Sequence, residues 1–215
     1  MPVKIDTLIV GQLEVNCYVV WSEGTRQGVI IDPGDEPERI AKTLAGNKVK
    51  PLAILLTHGH GDHIAAVASL RNQFDIPVMC GRGDEGMLVD PVKNLSAFVG
   101  TPVATTSPER ILEDDELLVL GNLHFRVIAT PGHSPGGVCF LIEEQGVIFC
   151  GDTLFYGSIG RTDFPGCSTE QLLTSIKRKI LTLPDNVVCY PGHGPSTTVG
   201  AERVNNPFLT GAYLA

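Results

Sequence analysis

An apolar run that leads directly into a histidine-rich loop is the feature that most restricts what this chain can fold into. Residues 52–56 have the length and flanking residues of a buried strand. T-H-G-H-G-D-H follows at residues 57–63, with three histidines and an aspartate within six positions. Because imidazole and carboxylate groups bind divalent metals, the sequence predicts a metal-binding loop at a strand end.

Three further short stretches supply the other candidate ligands. They are P-G-H-S at residues 131–134, C-G-D-T at 150–153 and P-G-H-G at 191–194. The seven candidate ligands are His58, His60, Asp62, His63, His133, Asp152 and His193. A lone histidine or aspartate at such a turn is usually structural, but five of the six histidines fall in these stretches. Their joint occurrence predicts a hydrolytic site for two metals.

The sixth histidine, His124, has a different setting. It alternates with apolar neighbours in residues 123–127, which is the pattern of a half-buried strand. We therefore predict that His124 is a sheet residue and not a metal ligand.

Composition limits the classes of partner. The chain has 215 residues, enough for a large core, and shows no linker-like tract, low complexity or internal repeat, so we predict a single domain over residues 1–215. Its 16 basic and 24 acidic side chains give a formal net charge of -8. This charge disfavours nucleic acid and anionic membranes as partners, and small molecules are the expected substrates. The oligomeric state stays open.

The N-terminus and the cysteines bear on the cellular compartment. Residues 1–11 lack the pattern of a secretory signal, and no apolar run approaches the roughly 20 residues that span a bilayer. We therefore expect a cytoplasmic protein that does not enter a membrane. The six cysteines are scattered without a C-x-x-C pair, and we expect most to be buried free thiols. An even count also allows three disulfides.

Periodicity and turn residues predict an alternation of strands and helices. The expected strands are residues 8–10, 17–21, 28–31, 52–56, 77–80, 117–120, 124–129, 138–142, 147–150 and 187–190. The expected helices are residues 36–44, 64–74, a short one near 85–88, and 169–180. Residues 81–108 are rich in glycine, proline and small polar residues and are expected to form a long excursion near the site. This order favours two packed sheets flanked by helices.

The ligand pattern resembles that of the metallo-β-lactamase fold superfamily, in which H-x-H-x-D-H and later isolated His, Asp and His residues bind metals between two sheets. The resemblance covers nearly the whole chain. It implies an α/β (α+β) fold, an αββα four-layer sandwich of two packed mixed β-sheets flanked by helices. Residues 151–165, G-D-T-L-F-Y-G-S-I-G-R-T-D-F-P, and 202–209, E-R-V-N-N-P-F-L, look most like the short bacterial type II glyoxalase-like hydrolases.

The resemblance also implies the roles of the ligands. The first metal would be bound by His58, His60 and His133, the second by Asp62, His63 and His193, and both by Asp152. Asp62 and Asp152 are thus the expected catalytic carboxylates. Zinc is the expected metal, with iron or manganese as alternatives, since histidine and aspartate accept all three. A water between two cations would lose a proton near neutral pH, so hydroxide is the expected nucleophile.

Two residues of the glycine-rich segment are expected to contact the substrate. The guanidinium of Arg161 suits a substrate carboxylate, and a basic residue at the matching place in glyoxalase II helps to hold glutathione. Tyr156 would be a pocket wall, and Asp163 would orient Arg161 or a metal ligand. The alternatives are a surface salt bridge for Arg161 and structural roles for Tyr156 and Asp163. Too few residues follow P-G-H-G for the helical extension that completes the glutathione pocket of glyoxalase II, which leaves glutathione specificity open.

Hydrolysis of a thioester such as S-lactoylglutathione is the function that the resemblance favours. One alternative is an iron-dependent persulfide dioxygenase, because that related branch shares G-R-T-D-F and binds one iron through residues matching His58, His133 and Asp152. Another is a non-catalytic metal-binding protein, although structural zinc sites are usually closed and rich in cysteine. Cleavage of β-lactams is not expected, because that reaction normally takes place outside the cytoplasm.

Overall fold

The first half of the chain forms one mixed six-stranded sheet. In the computed structural model, which describes residues 2–211, six strands follow one another across this first sheet. They are β1 (Val3–Val10), β2 (Val15–Ser22), β3 (Gln27–Ile31), β4 (Lys50–Leu56), β5 (Val78–Gly81) and β6 (Arg110–Leu112). β1 to β3 pair antiparallel, and β3 to β6 pair parallel. Met1 and residues 212–215, which belong to the predicted domain 1–215, lie outside the described residues.

The second half forms another mixed six-stranded sheet and a small hairpin. Its strands are β7 (Leu117–Leu120), β8 (Leu123–Ala129), β9 (Val138–Ile142), β10 (Val147–Gly151), the hairpin strands β11 (Leu154–Phe155) and β12 (Ser158–Ile159), β13 (Val188–Pro191) and β14 (Thr197–Thr198). The order across the second sheet is β14-β13-β10-β9-β8-β7, and the hairpin stands apart from it. Only β10 and β13 pair parallel among these strands.

Helices cover the outer faces of both sheets. They are α1 (Pro37–Gly46), α2 (Gly61–Ile64), α3 (Val67–Phe74), α4 (Thr169–Ser175), α5 (Val199–Asn205) and α6 (Pro207–Thr210). α4 continues into a π-helical segment, Ile176–Ile180. The parallel pairs β3–β4 and β4–β5 need crossover connections, and α1 makes the first while α2 and α3 make the second. Within residues 2–211, no helix is long and apolar enough to cross a lipid bilayer.

Three apolar clusters hold these layers together. The central cluster lies between the sheets and contains Leu55 from the first and Phe125 from the second. An outer cluster packs α1 and α3 on the first sheet, and another packs Leu172 and Ile176 on the second. Strands such as β4 are apolar on both faces because each face meets one of these clusters. The expected αββα sandwich is confirmed.

The segment between β5 and β6 differs in part from expectation. It is a long excursion, but the helix predicted near residues 85–88 is wrong, because these residues form turns. The side chain of Glu85 accepts a hydrogen bond from the Gly83 amide at 2.6 Å, which competes with helix formation. The excursion packs on the first ligand loop, where the Gly61 amide donates to the carbonyl of Asn94 at 2.9 Å.

Candidate metal centre

All seven predicted ligands meet at one end of the sandwich because each follows a strand of one of the two sheets. His58, His60, Asp62 and His63 lie just after β4 of the first sheet. His133, Asp152 and His193 follow β8, β10 and β13 of the second sheet. The first stretch thus lies at the end of a buried strand, as expected, and the other three stretches meet it.

The first group of candidate ligands is made of three imidazoles. Ligand atoms of His58, His60 and His133 all lie within 4.8 Å of one another, and all three residues are buried. Their ring centroids are 4.6 to 4.8 Å apart. The group therefore combines two histidines from the first sheet with one from the second.

The second group is made of one carboxylate and two imidazoles. Ligand atoms of Asp62, His63 and His193 also lie within 4.8 Å of one another. Oδ2 of Asp62 is 3.4 Å from Nε2 of His193 and 3.8 Å from Nε2 of His63. Again the members come from both sheets.

The carboxylate of Asp152 lies between the two groups. Its Oδ2 is 3.5 Å from Nε2 of His133 in the first group. Its Oδ1 is 3.5 Å from Nε2 of His63, and Oδ2 is 3.7 Å from Nε2 of His193, both in the second group. One carboxylate can therefore reach both groups at once.

Several buried side-chain atoms where the two ligand groups meet lack hydrogen-bond partners. Within the described residues, they include Nε2 of His58, His63 and His133 and Oδ1 of Asp152. A buried polar atom without a partner is costly, so such atoms need an explanation. All four belong to the candidate ligand set, and imidazole nitrogens with a carboxylate oxygen are suitable donors for a divalent metal. The residues therefore fit a dinuclear metal site.

The opposite ring nitrogens of the histidines are held by other groups. Nδ1 of His133 lies 2.7 Å from the carbonyl oxygen of Arg161, and Nδ1 of His193 lies 2.9 Å from that of Leu13. In both cases the carbonyl can only accept, so Nδ1 carries the proton and Nε2 is free to bind metal. Such contacts fix the orientation of imidazole ligands.

Asp32, directly after β3, is a site residue that the sequence pattern does not reveal. Its side chain is buried and accepts hydrogen bonds from the Thr57 amide and hydroxyl at 2.7 and 2.6 Å. Oδ2 also lies 3.1 Å from Nδ1 of His63. The ligand atoms of Asp32, His58 and His63 are close enough to form a third ligand group. However, both oxygens of Asp32 already accept hydrogen bonds from Thr57. We therefore regard Asp32 as the group that orients His63.

Asp84 is a second residue that was missed. Its buried carboxylate accepts hydrogen bonds from the Gly59 amide at 2.9 Å, the Ser134 hydroxyl at 2.7 Å and the Gly136 amide at 2.6 Å. Gly59 lies between His58 and His60, and Ser134 follows His133. Asp84 thus ties together the two loops that carry the first ligand group.

Two glycines permit the close packing around Asp152. A Cβ atom at Gly192 would collide with Oδ1 of Asp152, and one at Gly160 would collide with its main-chain oxygen. Gly192 precedes His193, so the P-G-H sequence lets this ligand loop approach the carboxylate.

The charges of the second group favour a cation. Burial acts to lower the pKa of His63, but the carboxylates of Asp62, Asp152 and Asp32 raise it to about 10. Burial acts to raise the pKa of Asp62, yet His63 and the other nearby imidazoles hold it well below its usual range. The raised pKa of His63 and the lowered pKa of Asp62 both mean that positive charge is stabilised between these carboxylates.

The first group has the opposite character. Burial and the neighbouring imidazoles lower the pKa of His58, and burial and His133 lower the pKa of His60 to about 3. Neutral imidazole is the form that binds a metal.

The two predicted substrate residues lie at the rim of the centre. The guanidinium of Arg161 is exposed, contacts Asp163 through Nε at 3.1 Å and Nη2 at 2.9 Å, and lies 4.4 Å from the ring centroid of Phe164. The Phe164 ring is in turn 6.5 Å from that of His60. Tyr156 is 66% exposed at the tip of the β11–β12 hairpin, next to Phe155, whose ring is 6.2 Å from that of His193. Both residues thus stand near a ligand group.

His124 and the six cysteines lie outside the candidate ligand groups. His124 lies on β8, away from the centre, with Nδ1 3.5 Å from Glu144, as expected of a sheet residue. All six cysteines lie within the described residues as free thiols, and five are buried. None of them belongs to a candidate ligand group.

Sequence comparison identifies relatives along nearly the whole chain. The profile of the metallo-beta-lactamase superfamily matches residues 10–193. The chain is 41% identical over 206 residues to a probable metallo-hydrolase, YqgX of Bacillus subtilis, covering 95% of this chain and 97% of that protein. It is 35% identical over 208 residues to the hydroxyacylglutathione hydrolase GloC of Haemophilus influenzae, covering 96% and 98%.

Solved structures give a similar result. The BLEG-1 B3 metallo-beta-lactamase superposes with a TM-score of 0.93 and 42% identity, covering 96% of this chain and all of that chain. TTHA1623 in a di-iron-bound form superposes with a TM-score of 0.81 and 40% identity, covering 95% and all of that chain.

Proposed function

This chain belongs to the metallo-beta-lactamase superfamily, and from that premise we propose that it is a metal-dependent hydrolase of thioesters such as S-lactoylglutathione. The observation that carries the proposal is the meeting of two three-ligand groups at the carboxylate of Asp152. The single domain over residues 1–215, the cytoplasmic location and the small-molecule substrate expected from the sequence are parts of the same proposal.

The ligand roles follow the two groups. One metal would be held by His58, His60 and His133, the other by Asp62, His63 and His193, and Asp152 would serve both. Divalent metals there would polarise a substrate carbonyl and lower the pKa of water. Zinc is the metal that we propose, and the di-iron form of TTHA1623 makes iron the first alternative.

The chain's own residues prepare this chemistry. Asp32 and the carbonyls of Leu13 and Arg161 orient the imidazoles of three ligands. The side chain of Asp62 is 23% exposed, so its carboxylate lies on the solvent-accessible side of the metal centre. The side chain of His63 beside it is fully buried. Since such fixed groups need no rearrangement as the reaction proceeds, they lower the barrier more than mobile groups would.

A thioester suits the rim of this centre. A free thiol has a pKa of about 8.5, so a thiolate can leave near neutral pH with little help from an acid. The guanidinium of Arg161 can bind a substrate carboxylate through two parallel hydrogen bonds. The similarity to the hydroxyacylglutathione hydrolase GloC supports the same substrate class.

The proposal is tested by measuring the metal content of the purified protein, S-lactoylglutathione hydrolysis, and oxygen uptake with glutathione persulfide. We expect about two metals per chain, thioester turnover and no oxygen uptake. His133→Ala should lose metal and activity, whereas His124→Ala, a matched histidine on β8, should lose neither. One iron per chain with persulfide-dependent oxygen uptake would replace the proposal with the dioxygenase alternative, and bound metal with no turnover would favour a non-catalytic protein.

Cleavage of β-lactams is a second candidate function. The specific observation in its favour is the 42% identity and TM-score of 0.93 to the BLEG-1 B3 metallo-beta-lactamase. It opposes the expectation from the sequence that β-lactams are not cleaved. A chromogenic cephalosporin assayed beside S-lactoylglutathione separates the two. A kcat/KM at least 100-fold higher for the thioester, which corresponds to about 2.7 kcal/mol, supports our proposal, and the reverse ratio supports a β-lactamase.

A further inference from the structure

A buried carboxylate outside the ligand set connects three elements around the β11–β12 hairpin. Glu202 on α5 is 2% exposed. Its Oε2 accepts hydrogen bonds from the Gly157 amide at 2.9 Å and from Nδ2 of Asn206 at 2.8 Å, and its Oε1 accepts one from the Thr197 hydroxyl at 2.6 Å. Nδ2 of the buried Asn206 also donates to the carbonyl of Ser158 at 3.0 Å. Glu202 and Asn206 thus hold both residues that follow the hairpin tip.

The hairpin itself connects two parts of the metal centre. It begins two residues after Asp152 and ends at Ile159, and the following residue, Gly160, packs against the main chain of Asp152. The next residue is Arg161, whose carbonyl accepts from His133. Phe155 of the hairpin faces the ring of His193. A shift of the hairpin would therefore move Phe155 relative to His193 of the second ligand group.

Strand pairing alone does not fix the position of the hairpin. Each of its strands has two residues, and it pairs with neither large sheet. An isolated two-stranded hairpin is at best marginally stable in water. Burial of a carboxylate is costly unless its oxygens are hydrogen-bonded, and here two of the three donors are the hairpin amide and the asparagine that also binds the hairpin. The buried network thus fixes the tip of the hairpin, whereas Leu154 and Ile159 anchor its base in the outer apolar cluster of the second sheet.

We propose that Glu202 and Asn206 are positioning residues for substrate recognition, which hold the β11–β12 hairpin so that Phe155 and Tyr156 form the wall beside His193. This inference rests on the proposed function, because it assigns the hairpin to the substrate pocket of the same centre. The wall is aromatic, so it suits the apolar part of a substrate next to the scissile carbonyl. The network acts on binding and leaves the ligand set unchanged.

The test compares four variants. Glu202→Ala and Asn206→Ala remove hairpin contacts. Glu202→Gln is the conservative variant, because its amide nitrogen can donate to the Thr197 hydroxyl while its oxygen accepts from the Gly157 amide. Arg203→Ala is the control on the same helix, since Arg203 binds the carbonyls of Leu181 and Leu183 and does not touch the hairpin.

Two readouts are measured for each variant. The first is kcat and KM, with metal content, on whichever of the thioester and the cephalosporin the wild type hydrolyses. The second is hydrogen exchange of the Gly157 amide. We expect Glu202→Ala to raise KM about tenfold, which corresponds to about 1.4 kcal/mol, with kcat and metal content within about twofold and faster exchange at Gly157. Glu202→Gln should restore both values.

The outcomes separate this inference from the proposed function. Equal KM changes in Glu202→Ala and Arg203→Ala, or unchanged exchange at Gly157 in Glu202→Ala, would overturn the positioning role. Faster exchange with an unchanged KM would overturn the assignment of the hairpin to the substrate pocket. If the wild type hydrolyses neither substrate, the proposed function fails, and the exchange of Gly157 still decides whether Glu202 holds the hairpin.

Discussion

Asp152 has an unusual position among the residues of the centre, because its carboxylate lies close to members of both ligand groups. Oδ2 faces His133, and Oδ1 faces His63. Every other candidate ligand belongs to one group of the two. A change at Asp152 should therefore affect both metal positions, whereas a change at another ligand should affect mainly one.

Asp152→Ala is expected to reduce metal occupancy at both positions and to abolish thioester hydrolysis. The reason is that both groups lose their shared carboxylate, and its removal leaves His63 and His133 without that negative charge. Metal content by mass spectrometry and the hydrolysis assay measure the two effects. Asp115→Ala, which removes an exposed aspartate paired with Arg126, should leave both unchanged. Full activity of Asp152→Ala with two bound metals would refute the shared role.

Arg161→Ala is expected to raise the KM for S-lactoylglutathione about tenfold, with little loss of metal. The substitution removes the guanidinium but keeps the main-chain carbonyl that orients His133. Steady-state kinetics and metal content on the same sample test this separation. An unchanged KM would make the contact of Arg161 with Asp163 a surface salt bridge only.

Asp163→Asn is expected to lower the KM for the same anionic substrate about twofold to fivefold. The carboxylate of Asp163 occupies Nε and Nη2 of Arg161, the same donors that a substrate carboxylate would use. Glu113→Gln, which weakens the exposed pair of Arg82 and Glu113 elsewhere, should leave KM unchanged. A raised KM in Asp163→Asn would instead indicate that Asp163 orients the guanidinium for the substrate.

At the scale of elements, Asp84→Ala should weaken metal binding without removing a ligand. Two amides and a hydroxyl would lose their buried acceptor, at a cost of about 1–3 kcal/mol for each group left unsatisfied. Loss of such supporting contacts typically lowers metal affinity about 10- to 100-fold. Competition with a chelating dye measures that affinity. Asp90→Ala, in the same excursion, removes only local bonds such as that from the Val92 amide and should have little effect.

Much of this architecture could be predicted from the sequence because its strands carry long apolar runs. β4 and β9 are examples, and their burial on both faces leaves a clear pattern. β6 was missed since Arg-Ile-Leu is too short to show a period, and the hairpin strands have two residues each. The short helix predicted near residues 85–88 is absent from the structure, where the side chain of Glu85 binds the Gly83 amide locally.

The candidate ligands could be predicted, whereas the buried carboxylates that hold them could not. Ligand motifs are contiguous, and their spacing can be read from the chain. Asp32 and Asp84 act on partners that are remote in sequence: Asp32 on His63, 31 positions away, and Asp84 on Ser134, 50 positions away. Nothing local distinguishes such an aspartate from a turn residue.

At the scale of the whole molecule, removal of metal should lower thermal stability while the sheets persist. Both groups join residues of the two sheets, so a bound metal stabilises the folded state by about 2.7 kcal/mol at 100 times its Kd. For a chain of this size, this corresponds to a decrease of about 5 to 10 °C in Tm on chelation. Thermal unfolding with and without chelator measures the change, and circular dichroism should show unchanged strand content. A Tm that does not respond to chelator would contradict the assignment, and Asp152→Ala should respond less than the wild type.

The division of strands between the sheets also has a consequence for the newborn chain on the ribosome. Within residues 2–211 the polypeptide passes from one sheet to the other once, between Leu112 and Leu117. Four of the seven candidate ligands are therefore translated with the first sheet and three with the second, His193 last of all. A chain that ends before His193 cannot assemble the second ligand group. Hydrolytic competence thus arises only after His193 has been translated, and a fragment that ends before it has none.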